Sequence, residues 1–343
     1  MMNHLDRREF LQLAAIAGVG MIAAGSAAGA QKLDLTEKTV AELSTAMQKG
    51  ELSSETITNW YLARIKSLDP KLNSIIELNP DAISIARERD REQRLKNVKG
   101  PLHGIPFVIK DNIDTADKMK TTAGSLALVD APTPAKDAFI VERLREAGAV
   151  LLGKTNLSEW ANFRDNDSSS GWSGRGGQTR NPYILDRNPC GSSSGTGSAI
   201  ASNLAAIGIG TETDGSIVCP SAICGIVGLK PTIGLVSRSG IIPIAASQDT
   251  AGPMTRMVAD AAAMLDVLDA ADPSDSVTTS GGKRRERASY LTSLIADGLR
   301  GARIGVARDF WGRNAVVDGV TNAALDVMKK AGAELIDVKF PNL

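Results

Sequence analysis

Residues 102–114 read LHGIPFVIKDNID. Ile105–Ile109 is a short apolar run that stops at Lys110-Asp111, which reads as a buried strand ending in two charged residues. Downstream, Phe139–Gly148 reads as a helix stopped by a glycine, and Val150-Leu151-Leu152 as the next strand. This alternation predicts an α/β layer structure. Upstream, residues 36–97 read as helices. Val40, Leu43 and Met47 fall on one helical face, and so do Ile57, Trp60, Tyr61 and Ile65. Thr39-Val40-Ala41-Glu42 fits a capping box, and Gly100-Pro101 closes the region. Beyond Pro253 the pattern predicts a helix over 254–270, a strand at Arg303–Val306, a helix at Val320–Ala331 and a strand at Ala333–Phe340. No internal repeat is present.

The chain has 343 residues, 43% of them apolar and 23% charged, values that suit a soluble globular protein with a sizeable core. Lys+Arg and Asp+Glu number 39 each, so no net charge argues for nucleic acid or an anionic membrane as a partner. The basic cluster Lys283-Arg284-Arg285, followed by Glu286 and Arg287, reads as a solvated loop. With only His4 and His103, a histidine-built zinc site or a Ser-His pair has little to draw on. Cys190, Cys219 and Cys224 form no CxxC pair, and free, mostly buried thiols are expected.

The N-terminus holds Arg7-Arg8, then Phe10-Leu11, then a weakly apolar Ala/Gly-rich run from Leu13 to Gly25. That order resembles a twin-arginine export signal. Ala28-Gly29-Ala30 fits the small-x-small cleavage rule, so residues 1–30 are expected to be removed on export to the bacterial periplasm. No stable membrane association is expected afterwards. The apolar run is about 13 residues, short against the roughly 20 that a bilayer span needs; an uncleaved anchor is the alternative.

Between Ser168 and Pro253 lie 15 of the 33 glycines. The apolar segments Ala199–Ile209 and Ile223–Leu229 interrupt them, so this is not a linker; such backbone must turn tightly or approach a ligand closely. Within it, 190–198 reads CGSSSGTGS. No lysine follows Gly195 or Gly197, which excludes a P-loop; the third small residue of a dinucleotide fingerprint is missing; a Ser-His-Asp hydrolase needs a histidine, and only His4 and His103 are present. A lysine-activated serine remains. Lys110 ends an apolar strand, and desolvation there would lower its pKa toward the range where the neutral amine accepts a proton. Snorkelling to the surface or pairing with Asp111 is the plainer alternative for that lysine.

LHGIPFVIKDNID (102–114), PCGSSSGTGSA (189–199), GTETDGSIVCPSAICGIVGLKPT (210–232) and DTAGP (249–253) together resemble the amidase signature family, in that family's order. NLSEWANF (156–163), GWSGRGGQTRNPY (171–183) and LVSRSGIIP (235–243) resemble its peptide amidase subgroup, which removes ammonia from C-terminally amidated peptides. The resemblance implies an α/β/α fold with a mixed central sheet sandwiched between helices, and a catalytic Ser–Ser–Lys triad. Carried onto this chain, the nucleophile is Ser216, the relay serine Ser192 and the base Lys110. Backbone N–H groups of Thr213, Asp214, Gly215 and Ser216 would form the oxyanion hole, and Gly191 would precede a cis peptide. Val218, Asp214 and Cys190 depart from the wider family's pattern, but the peptide amidase subgroup shares these changes.

The implied reaction is hydrolysis of a primary carboxamide, most specifically a peptide C-terminal amide, through an acyl-enzyme, with no metal or organic cofactor. The substrate is then a small molecule or short peptide. Other aryl or aliphatic amides, the glutaminase subunit of a tRNA-dependent amidotransferase and an inactive remnant are the alternatives. Members of the family are longer, so residues 31–343 are expected to form an amidase domain lacking its C-terminal third. Asp167, Ser168 and Trp172 are candidates for substrate contact, and Trp160 for lining a peptide site. Asp111, Asp214 and Asp249 are expected to orient loops, His103 to be structural, and Cys224 to sit in the core.

Overall fold

The computed structural model describes residues 33–279 and 288–340. The twin-arginine segment, its cleavage site and the basic cluster at 283–287 lie outside the described residues. The chain divides into two compact units, Met1–Arg287 and Ala288–Leu343.

The first unit opens with helices α1 (Val40–Gln48) and α2 (Ser54–Leu72). Thr39 and Glu42 form the capping box, each side chain holding the other's backbone N–H. Val40, Leu43 and Met47 are buried, as are Ile57, Tyr61, Ile65 and Leu68; Trp60 is only half-buried, its indole N–H donating to the Leu33 carbonyl. Strand β1 (Ile75–Leu78) follows, then α3 (Ala82–Arg94), β2 (Pro106–Lys110), α4 (Phe139–Glu146) and β3 (Val150–Thr155). A two-residue ladder joins β4 (Trp172–Ser173) to β5 (Gly177–Gln178). Next come α5 (Ser194–Ala201), β6 (Ile207–Glu212), α6 (Val218–Ile223), β7 (Val227–Gly228), β8 (Thr250–Thr255) and α7 (Val258–Leu268).

Six strands form one mixed sheet in the order β1-β3-β2-β6-β8-β7. The centre is parallel: Phe107 pairs with Leu151 on one side and with Ile207 on the other. β1 and β8 flank it antiparallel, with Ile75 opposite Thr155 and Glu212 opposite Thr250. Helices cover the sheet, and every residue of β2, β3, β6 and β8 is buried, which is why Ile105–Ile109 and Val150–Leu152 read as continuous rather than alternating apolar runs. The mixed α/β architecture is the expected one.

Two strands differ from the expectation. Ile75–Leu78 lies inside the segment read as helical, and Thr250–Thr255 overlaps the start of the helix read at 254. TAGPMT has weak strand propensity, but pairing with β6 on one side and β7 on the other imposes the extended form.

The second unit contains β9 (Arg303–Ala307), α8 (Ala315–Lys330) and β10 (Glu334–Val338). β9 and β10 pair in parallel, Arg303 opposite Glu334, and Asn314 caps α8 by accepting from the N–H groups of Val316 and Val317. The two strands fall where the sequence places them, and the helix begins at Ala315 rather than at the expected Val320.

Candidate active site

β2 and β6 run side by side and end together, β2 at Lys110 and β6 at Glu212. Ligands of α/β sheets bind outside the carboxyl ends of parallel strands. Here that end receives a lysine from one strand and a serine-rich loop from another part of the chain. Lys110 is wholly buried, and its Nζ contacts Ser192 Oγ at 2.7 Å, Thr211 Oγ1 at 2.9 Å and the Thr211 carbonyl at 3.3 Å. Burial pulls its pKa down to about 7, although the Glu212 and Asp249 charges act the other way. The side chain neither snorkels nor pairs with Asp111.

The serine loop is pinned at each of its residues. The Gly191–Ser192 peptide is cis, as the resemblance implies. Ser192 accepts from the Ser158 N–H through its carbonyl. Ser193 donates its N–H to the Ser216 carbonyl and exchanges hydrogen bonds between its hydroxyl and the Thr211 backbone. Ser194 Oγ donates to the Cys190 carbonyl at 2.6 Å. Gly195 must lack a side chain, because a Cβ there would lie 2.3 Å from the Ser74 carbonyl oxygen.

Ser216 stands on the turn between β6 and α6, joined to the serine loop through its carbonyl; its hydroxyl makes no hydrogen bond among the described residues. The turn is built around Glu212. This buried carboxylate accepts from the N–H groups of Gly215 (3.0 Å), Ile217 (2.7 Å) and Val218 (2.9 Å), bracketing Ser216 on both sides. Gly215 carries a φ of +78°, which favours glycine. The structure therefore departs from the four-donor oxyanion hole: the Gly215 N–H is held by Glu212, whereas those of Thr213, Asp214 and Ser216 donate to no described acceptor.

The cysteine expectation is corrected. Cys190 and Cys219 form a disulfide, tying the start of the serine loop to the helix after Ser216. Nothing in a spacing of 29 residues signals it; the fold alone brings the two together. Cys224 is a buried free thiol pushed up to about 12, a core residue as expected.

The supporting carboxylates hold loops. Asp249 accepts from the Thr213 hydroxyl and from the N–H groups of Ile244 and Ala245. Asp111 takes the Thr122 hydroxyl and the Gly124 N–H, with Arg175 3.7 Å away. Asp214 is exposed on the turn. His103 is buried with Nε2 2.9 Å from the Arg89 carbonyl, away from the lysine.

Two cavities share Asn112, Ile242, Pro243 and Ile244 in their walls. One, of about 230 Å³, is lined by Thr211, Glu212, Thr213, Asp249 and Ile241–Ile244; the other, of about 250 Å³, by Ala123, Trp160, Phe163 and Arg164. Trp160, Ala161 and Asn162 form a consecutive left-handed run, φ 50°, 55° and 71°. Such backbone persists only where its surroundings hold it; here Trp160 N–H donates to the Ala123 carbonyl. Asp167, Ser168 and Trp172 line neither cavity. Asp167 is on an exposed turn, Ser168 donates to Asn162, and Trp172 lies under the Arg164 guanidinium at 4.5 Å.

Sequence reading did not single out Asn112, Thr211, Glu212 or Lys154. Lys154 is buried, lowered to about 8 by desolvation, and donates to the Ile113 carbonyl and the Thr121 hydroxyl. Among the described residues no group of three His, Cys, Asp or Glu side chains is arranged to hold a metal ion, and no helix is long and apolar enough to cross a membrane.

Comparison with known proteins shows the family. The family model described as Amidase matches residues 56–343. The X-ray structure of native peptide amidase from Stenotrophomonas maltophilia is 55% identical with a TM-score of 0.85, over 90% of this chain and 63% of that one. An amidase family protein from Bacillus anthracis is 38% identical with a TM-score of 0.84, over 98% of this chain and 67% of that one. One of the glutamyl-tRNA(Gln) amidotransferase polypeptides of Thermoanaerobacter pseudethanolicus is 37% identical, over 90% of this chain and 61% of its own length. The chain spans about half the length of the curated relatives it matches first. With the family model covering most of its length, this chain belongs to the amidase family.

Proposed function

We propose that this protein is a serine amidase that hydrolyses the C-terminal carboxamide of peptides and releases ammonia. The observation that carries the reading is the 2.7 Å contact between a buried lysine of pKa about 7 and Ser192, on a loop bonded to the Ser216 turn.

The chemistry follows from the valence of the amine. Neutral Lys110 has one lone pair and two N–H bonds, and its Nζ has three partners. Ser192 gives its proton to the lone pair while taking one from Ser216, and Ser216 Oγ bonds to the amide carbon. The oxyanion meets the undonated N–H groups of Thr213, Asp214 and Ser216, each such donor being worth roughly 10²–10³ in rate. As the C–N bond breaks, the proton returns through Ser192 to the leaving nitrogen, which departs as ammonia. Water then attacks the acyl ester by the same relay, restoring Ser216 and giving the carboxylic acid.

A peptide-type substrate is supported by the likeness to peptide amidase, one structure of which is a complex with the competitive inhibitor chymostatin. The apolar cavity beside Trp160 and Phe163 suits a side chain. A second reading, release of ammonia from glutamine, is favoured by the likeness to the glutamyl-tRNA(Gln) amidotransferase polypeptide. Export is proposed as well: a disulfide persists in an oxidising compartment, in keeping with the twin-arginine pattern.

The test is ammonia release from an amidated dipeptide, benzamide and glutamine, with Ser216→Ala as control. Turnover of the dipeptide amide that Ser216→Ala abolishes supports the proposal. Cleavage of benzamide or glutamine alone would reject the peptide reading, and full activity in Ser216→Ala would reject the mechanism. Replacing Arg7 and Arg8 by lysine is expected to block export; unchanged periplasmic accumulation would contradict it.

A further inference from the structure

We propose that Asn112 and Thr211 are positioning residues that reserve the lone pair of Lys110 for Ser192; this rests on the reading of Lys110 as the base. Of the three partners of Nζ, the Thr211 carbonyl can only accept, so it takes one N–H. The two hydroxyls, of Ser192 and Thr211, can each give or take a proton. Only one arrangement is productive: Ser192 gives its proton to the lone pair, and Thr211 Oγ1 accepts the second N–H. If Thr211 instead turned its proton toward Nζ, the lone pair would be filled and Ser192 would be forced to accept.

Asn112 decides between the two. It follows Lys110 by two residues and is 4% exposed, with its carbonyl fixed by the Ile242 N–H at 2.9 Å. Its Nδ2 donates to Thr211 Oγ1 at 3.0 Å. With both lone pairs of that oxygen accepting, one from Lys110 and one from Asn112, the Thr211 proton must point away from Nζ. Thr211 lines the 230 Å³ cavity, so that proton has open space to face. With the amide turned over, Oδ1 would accept the Thr211 proton, and the lone pair would again be left to Ser192.

Asn112 Oδ1 is buried and has no hydrogen-bond partner among the described residues. Leaving such a group unpaired is costly, and a purely structural site would favour an apolar residue of similar size. Glu212 and Asp249 act on Lys110 from β6 and from the segment before β8, and Arg164, stacked on Trp172, lies on the wall of the second cavity at Asn112. Arg238 and Asp275, on the wall of the first cavity, are paired with each other at 2.6 Å.

The experiment compares wild type, Asn112→Leu, Asn112→Asp and Lys110→Ala in the whole chain. It measures kcat and KM against pH on an amidated dipeptide and follows the 13Cε resonance of Lys110 by NMR titration. Asn112→Leu is expected to lower kcat about tenfold with KM unchanged, the worth of one misdirected hydrogen bond. Asn112→Asp, which places an anion beside Thr211, is expected to move both the acidic limb of kcat and the Lys110 titration upward by about one pH unit. A wild-type kcat in Asn112→Leu, or an unmoved titration in Asn112→Asp, overturns the proposal while Lys110→Ala stays inactive. Wild-type turnover in Lys110→Ala overturns the base reading itself. If Asn112→Leu folds poorly, the Asn112→Asp titration decides, since it needs neither that variant nor turnover.

Discussion

Lys110 Nζ lies 2.7 Å from Ser192 Oγ, and neither residue has any surface exposed to water. The same three partners serve the amine with or without its extra proton. Proton transfer therefore requires no rearrangement of heavy atoms, a form of preorganisation that water cannot match.

The first expectation concerns pH. As the proposed base, Lys110 would have to be neutral, so kcat should rise with pH through about 7 and then level. Lys110→Ala should lower kcat by about 10²–10⁴. A pH–rate profile that stays flat from about pH 5 to about pH 9 would remove Lys110 from the mechanism.

Stability carries the opposite signature of the same burial. The folded state holds Lys110 at about 7 against an ordinary value of 10.5, so between these values the unfolded chain binds more protons. Stability should therefore increase with pH across that window, and the destabilising contribution is fully present below about 7. Lys110→Met should raise the melting temperature at neutral pH and flatten this dependence. Thermal melts at a series of pH values check it; a melting temperature lowered at about pH 6 to roughly the extent seen at about pH 10 would contradict it.

Glu212→Gln tests the turn around Ser216. The carboxylate holds three N–H groups and supports the charged form of Lys110. Its neutralisation should cost roughly 1–3 kcal/mol of stability and lower kcat. The acidic limb should move to lower pH, because an anion favouring the ammonium is gone. A limb that moves upward would show that Glu212 acts on Lys110 in another way.

The disulfide makes a countable prediction. Native protein should expose one titratable thiol per chain after denaturation without reductant, that of Cys224, and three after reduction. Cys190→Ser should lower stability by about 3–4 kcal/mol on loop-entropy grounds, and the melting temperature by several degrees. Three free thiols in the oxidised protein would refute the pairing.

Much of the fold was legible because its central strands are buried on both faces. Ile105–Ile109 and Val150–Leu152 announce themselves as apolar runs, and helix α1 announces its start through Thr39 and Glu42. β1 was hidden because a strand of four residues beside a long helix leaves no period of its own. β8 was hidden because Gly252 and Pro253 are poor strand formers and its neighbours, not its residues, extend it.

The residues proposed to react were legible in the sequence, and the groups that support them were not. A lysine at the end of an apolar run suggests a perturbed amine from composition alone. Glu212 and Thr211 sit within the motif beside Ser216, but their roles depend on which backbone groups the turn presents to them. Asn112 acts across to another strand, and the Cys190–Cys219 pair spans two loops. Such partnerships depend on tertiary distances and leave no local pattern.

Cys190 and Cys219 also close a covalent ring, and Ser192 and Ser216 lie two and three residues inside its ends. In the denatured chain, the bridge keeps both serines near one another while the rest of the molecule loses its order. Loop-closure entropy for that pairing is therefore already met before folding begins. The half of the site that chain topology would otherwise bring together late is held by a bond that survives unfolding, leaving Lys110 as the component that only the sheet can deliver.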